Sequence, residues 1–193
     1  MDVLRVGFVP GVTPDKWARS WRERRDGVRL ELVPLAADDA EQAVRSERVD
    51  MALARLPVDR ENLHQVRLYD EIAVVVTSRE HPVAAYEEGD LADLSGEQFI
   101  GGPPPGCTPE VDQLDFPPMP DGAAVDVAAA GSAVVILPMS VARLYHRKDA
   151  VHRPVRDLPP TTIALIWLAG RDNETTQAFV GVVRGRTPRS SRG

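Results

Sequence analysis

The sequence predicts an α/β protein of two lobes joined by two crossover strands, and three observations carry that prediction. The first third alternates strand and helix patterns as β-α-β-α-β, an order that calls for parallel strands with helical, right-handed crossovers. Two long extended stretches, residues 64–78 and 151–170, contain continuous apolar runs and read as crossings between lobes. Between them lies a further α-β-α unit over residues 122–148. A chain of 193 residues suits one ordinary domain or two small lobes, and its 43% hydrophobic content is enough for a proper core.

Taken in order, LRVGFVP (4–10) is a short buried strand. Thr13-Pro14-Asp15 then opens a helix: Thr13 is suited to cap free backbone N–H groups, Pro14 to the first turn, and Asp15 to the positive end of the dipole. The helix places Trp17 and Trp21 four apart on one face and closes at Asp26-Gly27. RLELVPL (29–35) is the second strand, Asp38 or Asp39 caps a second helix with Ala40, Ala43 and Val44 as its apolar face, and DMALARLP (50–57) is the third strand. After the first crossing comes a short helical patch around Leu91 and Leu94, then the brief strand FIGG. Residues 101–122 carry GGPPPG and FPPMP, which exclude regular structure over most of that length.

GAAVDVAAAG (122–131) is a helix of small residues stopped by Gly131. SAVVILP is a buried strand, and Pro138 with Ser140 marks where it ends and the helix VARLYHRK begins, with Arg143, His146, Arg147 and Lys148 toward its negative end. The second crossing follows, then a final helix from Asn173 with Phe179, Val182 and Val183 inward. The lobes are expected at residues 1–76 plus 156–184 and at 77–155, with a basic, disordered tail at 185–193. In open α/β sheets ligands bind beyond the carboxyl ends of the strands, so two facing lobes put the expected site in the cleft between them.

A net charge of -6 argues against a protein that wraps a nucleic-acid backbone. The single cysteine, Cys107, cannot form an intrachain disulfide, and MDVLRVGFVP lacks the basic leader and apolar stretch of a secretory signal. Apolar runs are strand-length, too short for a membrane span, which leaves a cytoplasmic protein as the expectation.

The segments RVGFVPGVTPDKWARSWRERRDGVRLELVPL, ERVDMALARLP, LYDEIAVVVTSREHPVA, LADLSGEQFI and AAAGSAVVILPMSVARL occur in the order of the effector-binding domain of LysR-type transcriptional regulators, and the chain resembles that family outside residues 102–121 and the tail. The resemblance implies a type 2 periplasmic-binding-protein fold, a small anionic or aromatic effector held in the cleft, and homodimers of these domains. Such regulators carry an N-terminal winged helix-turn-helix, whereas this chain opens on the first strand of the effector domain. No direct DNA binding by the chain as given is therefore expected; it is either a stand-alone sensor or part of a longer regulator. The Pro-rich segment stands where the family has a helix and a strand, so the second lobe is expected to be shortened. Leu35-Ala36-Ala37 is apolar where relatives often place a hydroxyl, leaving bare helix-start N–H groups before Ala40 to receive a carboxylate.

The expected cleft residues are Val12, Thr13, Arg55, Pro57, Thr77, Ser78, Ile100 and Gly101. Each also has a plainer reading. Thr13 is a helix cap, Arg55 is either a bidentate partner for a carboxylate or an ordinary ion pair, Thr77 and Ser78 form a turn, and Gly101 with Gly102 opens a loop. Trp17 and Trp21 read as core.

No enzyme is expected. Cys107 sits in PPPGCTP without an evident base, the four histidines His64, His81, His146 and His152 have no metal-ligand spacing, and GGPPPG is too proline-rich to cradle phosphate, so neither cofactor nor metal is anticipated. The expected function is ligand sensing in transcriptional regulation through cleft closure. The alternative is a protein-interaction module that has lost its pocket.

Overall fold

The apolar run at residues 64–78 breaks at Ile72 into two strands that belong to different sheets, β4 (Leu63–Glu71) and β5 (Ala73–Ser78). The return stretch breaks likewise into β8 (Ala150–Pro154) and β9 (Thr161–Leu168). The computed structural model describes residues 2–24 and 27–185. The chain divides into two units: one formed by the described residues of Met1–Asp70 and Thr162–Gly193, the other by Glu71–Thr161.

The first unit is built on a five-stranded sheet of order β2-β1-β3-β9-β4, using β1 (Asp2–Phe8), β2 (Val28–Pro34) and β3 (Met51–Arg55). β1 pairs in parallel with β2 and β3 because helices α1 (Asp15–Arg24) and α2 (Ala40–Arg45) make the crossovers, whereas β9 arrives from the second unit and pairs antiparallel with β3. Trp17 and Trp21 are buried, as their spacing predicts, and Trp21 meets Phe179 of α5 (Glu174–Val183) edge-on at 5.7 Å. The polar edge of its indole is served too, with Nε1–H donating to the Val28 carbonyl at 3.0 Å. Ala40, Ala43 and Val44 form the buried face of α2. Asn173 caps α5: its side chain accepts from the N–H groups of Thr175 and Thr176, and the Thr176 hydroxyl accepts from the Asn173 N–H.

The second unit is a four-stranded sheet of order β6-β7-β5-β8, with β6 (Phe99–Ile100) and β7 (Val134–Pro138). Both faces of β5 are covered, which is why its sequence is a run of valines. Val74 and Val76 pack toward helices α3 (Asp121–Ala129) and α4 (Met139–Leu144), while Val75 packs with Val83, Leu91, Leu94 and Phe99 under two single 3-10 turns. β6 runs parallel to β7, and β5 antiparallel to β7 and β8, so this sheet is mixed.

Several local expectations change. Thr13 does not cap α1: the helix begins at Asp15, the Pro14 carbonyl accepts from the N–H groups of Trp17 and Ala18, and the exposed Thr13 side chain makes no hydrogen bond among the described residues. Ser140 does not start its helix either. Met139 is the first helical residue, and the Ser140 hydroxyl is buried without a hydrogen-bond partner among the described residues. Asp39 occupies the cap position of α2, but its carboxylate is drawn to Arg48 instead. α4 stops at Leu144, short of the expected Lys148, and beyond it Arg147 pairs with Asp126 and Asp149 ahead of β8. The expected helix end at Asp26 and the tail beyond Gly185 lie outside the described residues.

Candidate functional site

Of the eight expected ligand residues, four fall in the first unit, at the carboxyl ends of two neighbouring parallel strands. Phe8 pairs with Leu53, so the loop after β1 meets the end of β3. There the Val9 N–H donates to the Leu53 carbonyl at 3.2 Å, and the Arg55 guanidinium donates to the Pro10 carbonyl at 3.3 Å. Val12 is buried in the core beside this loop, Thr13 and Pro57 are exposed, and Arg55 is half-buried. The structure therefore gathers Val12, Thr13, Arg55 and Pro57 at one end of the first sheet.

The second unit does not gather its four. Ile100 pairs with Val135 and leads into Gly101, whereas Val135 faces Val76 on its other side. Because β5 runs opposite to β6, Thr77 and Ser78 continue beyond Val76 toward the end of the sheet from which β6 starts. Thr77 is fully buried on the same face of β5 as Val75, and its hydroxyl has no hydrogen-bond partner among the described residues. Ser78 is half-buried near Gly131.

Ile100 and Gly101 do line a pocket of about 700 Å3 within the second unit. Its floor is the edge of β7 at Val135, Ile136 and Leu137, where β6 stops after two residues and β7 runs on. The start of α3 and the segment Leu114–Met119 complete the lining. Phe116 and Met119 pack against the core under α3 and α4, and Gly101 and Gly102 adopt φ values of +83° and +86°, which a residue with a Cβ rarely takes. This volume falls in the range of small-molecule sites.

The Pro-rich segment is irregular, yet two glutamines fix where it lies. The Gln113 side chain accepts from the Phe99 N–H and donates to the Glu97 carbonyl, both at 2.9 Å. In return the Gln98 side chain donates to the Asp112 carbonyl at 3.0 Å and accepts from the Leu114 N–H at 2.7 Å. This exchange supplies hydrogen bonds to the edge strand β6 and seats Leu114, Asp115 and Phe116 at the pocket. Sequence reasoning missed those wall residues and both glutamines, and neither glutamine carries a local signal of its role.

The charged residues lining the pocket are Asp115 and Asp121, with no Lys, Arg or His among them. A polar hollow of about 370 Å3 in the first unit, near the start of α5, holds none of the expected residues. Two of its charged wall residues are ion-paired to residues beyond it, Arg171 to Glu47 and Asp50 to Arg5. Burial pushes the Cys107 thiol above its ordinary range, away from the reactive thiolate. Among the described residues no group of three or more His, Cys, Asp or Glu is placed to hold a metal ion, and no helix is long and apolar enough to cross a membrane.

Two α/β units, each around its own sheet and one bearing a ligand-sized pocket, define a two-unit α/β domain. The sequence matches the LysR substrate binding domain over residues 2–188, and the chain belongs to that family. It is 25% identical over 203 residues to the Hca operon transcriptional activator HcaR of Escherichia coli K12, covering 95% of this chain and 67% of that protein. It is 33% identical over 99 residues to the HTH-type transcriptional regulator CatR of Pseudomonas putida, covering 50% of this chain and 34% of CatR. Among solved structures, the BenM effector-binding domain with its effector benzoate superposes with a TM-score of 0.74 at 18% identity, over 96% of this chain and 95% of that one. The reduced OxyR regulatory domain of Pseudomonas aeruginosa gives 0.71 at 18% identity, over 95% and 93% of the two chains. The fold is the type 2 periplasmic-binding-protein fold of LysR effector-binding domains.

Proposed function

We propose that this chain is the sensing part of a transcriptional regulator: it binds a small metabolite with an aromatic or otherwise apolar body, and the ligand favours one conformation of the domain over another. The pocket of about 700 Å3 holding Ile100 and Gly101 carries this reading, because its volume suits a small molecule and Ile100, Phe116, Val135 and Leu137 among its lining residues offer apolar contact to a ring. At the carboxyl ends of β1 and β3, Arg55, Thr13, Val12 and Pro57 form the first unit's own candidate contact set. Family membership and two regulator relatives support a non-enzymatic, cytoplasmic role, and the family resemblance carries the homodimer with it. An interaction module that has lost its pocket is not favoured, since a cavity of ligand size is present.

A thermal-shift screen of aromatic acids, amines and neutral analogues tests the reading, because a ligand specific to the folded state raises the midpoint with its occupancy. No stabilisation by any class at millimolar concentration overturns it. Arg55→Ala then asks whether the first unit takes part; an unchanged affinity for the compound found removes Arg55 from the site. Sedimentation of the purified chain decides the homodimer.

A further inference from the structure

We propose that Asp115–Met119 is a flap over the pocket of the second unit, which seats on the apolar body of a bound ligand through Phe116 and so couples occupancy of the pocket to the start of α3. The proposal rests on the sensing reading above and adds to it the element that moves.

The walls of the pocket are held in two different ways. Val135, Ile136 and Leu137 belong to β7 and pair residue by residue with Val76, Val75 and Val74 of β5, so that wall is fixed by its sheet. Asp115–Met119 also lines the pocket, but it makes no hydrogen bond among the described residues, and Pro117 and Pro118 have no N–H to offer. Its ends are pinned. Before it the Leu114 N–H donates to the Gln98 side chain at 2.7 Å, and after it the Pro120 carbonyl accepts from the Ala124 N–H at 3.0 Å. Between these points the segment is seated by apolar contact, with Phe116 and Met119 half-buried against the core under α3 and α4. A segment fastened at both ends and held between them by non-directional contact alone shifts at far lower cost than a paired strand.

The rim of the pocket shows what the flap closes on. Leu114, which leads into the flap and lines the pocket, is 62% exposed, more than any other large hydrophobic side chain among the described residues. A ring bound against Ile100, Val135 and Leu137 covers Leu114 and gives Phe116 an aromatic partner. Met119 carries the closure onward, because only Pro120 separates it from Asp121, the first residue of α3, and α3 packs through Ala124, Val125 and Ala128 on the same core.

Two neutral probes, benzyl alcohol and naphthylmethanol, titrated into the whole chain up to millimolar concentration test the flap. Binding is read from the amide resonances of Ile100 and Gly101, and order from relaxation of the Asp115, Phe116 and Met119 amides against those of Val135–Leu137. In the free chain the flap amides are expected below the rigid order parameter of about 0.85 shown by the strand, and to rise toward it on saturation. Phe116→Ala is expected to weaken both probes by about threefold to tenfold and to abolish the rise, with the strand amides unmoved. Phe116→Leu, which keeps an apolar side chain on the core, should bind more tightly than the alanine variant and recover part of the rise.

Flap amides as ordered as the strand in the free chain overturn the proposal. So does probe binding at Ile100 and Gly101 that leaves the order of the flap unchanged; both results leave the sensing reading standing. If neither probe moves the Ile100 and Gly101 resonances, the flap has no ring to close on and the proposal falls, whereas the sensing reading falls only when the thermal-shift screen is blank as well.

Discussion

Gln98 and Gln113 each hydrogen-bond the backbone on both sides of the other: Gln113 serves Glu97 and Phe99, and Gln98 serves Asp112 and Leu114. Two side chains thus form a link that in a longer sheet another strand would form. The link matters because β6 has only two residues and lies at the edge of its sheet.

Gln113→Ala leaves the Phe99 N–H and the Glu97 carbonyl without these partners. A loss of roughly 1–3 kcal/mol in urea unfolding is expected. Amide exchange at Phe99 should accelerate together with loss of order at Leu114–Phe116. An unchanged exchange rate at Phe99 would show that the glutamine pair does not hold the strand.

Gly7 lies in β1, paired with Val33 on one side and Ala52 on the other. A Cβ there would come within 2.4 Å of Leu35 Cδ1 and 3.1 Å of its Cγ. Gly7→Ala is expected to destabilise the first unit by about 1–3 kcal/mol through overpacking, and Leu35→Ala in the same chain should recover part of that loss. Strict additivity of the two losses in denaturant titrations would contradict the contact.

Trp21→Phe keeps a ring in position to meet Phe179 but removes the donor to Val28. A loss of roughly 1–3 kcal/mol is expected, made up of the orphaned carbonyl and the smaller ring, against about 3–5 kcal/mol for Trp21→Ala. Equal losses in the two variants would mean that the ring contributes nothing beyond the hydrogen bond.

The response to acid has two stages with the same sign. Burial lowers the His152 imidazole below its ordinary range, with Arg143, Arg153 and His146 adding to the effect. The unfolded chain therefore takes up this proton first, and stability falls as pH drops below about 6.5. Asp149, hydrogen-bonded by Arg147, is held down to about 2, so its contribution is present above about pH 4 and is lost as pH falls through 2. His152→Gln should flatten the upper stage of a stability-against-pH curve and Asp149→Asn the lower. A curve unchanged in both variants would refute these assignments.

The family and most of the elements were legible in the residues because they rest on local pattern. Trp17 and Trp21 four apart, the small face of α2, the valine run of β5 and the cap at Asn173 each announce their role within a few positions. Helix starts at Thr13 and Ser140 misled, since a hydroxyl near a proline resembles a cap whether or not the backbone begins its turn there. Placing Thr77 with Gly101 failed for a different reason: both end apolar strands, but the strands run in opposite directions, and direction follows from pairing.

What the sequence alone determined is therefore an α/β chain of this family, with its core faces. Only the tertiary structure decided that Gln98 clasps Gln113 and that the Pro-rich segment walls a pocket. Periodicity reports which face of an element is buried, a property of neighbours along the chain. A pocket's walls and charges come from residues far apart in sequence, and only the folded backbone sets which of them meet.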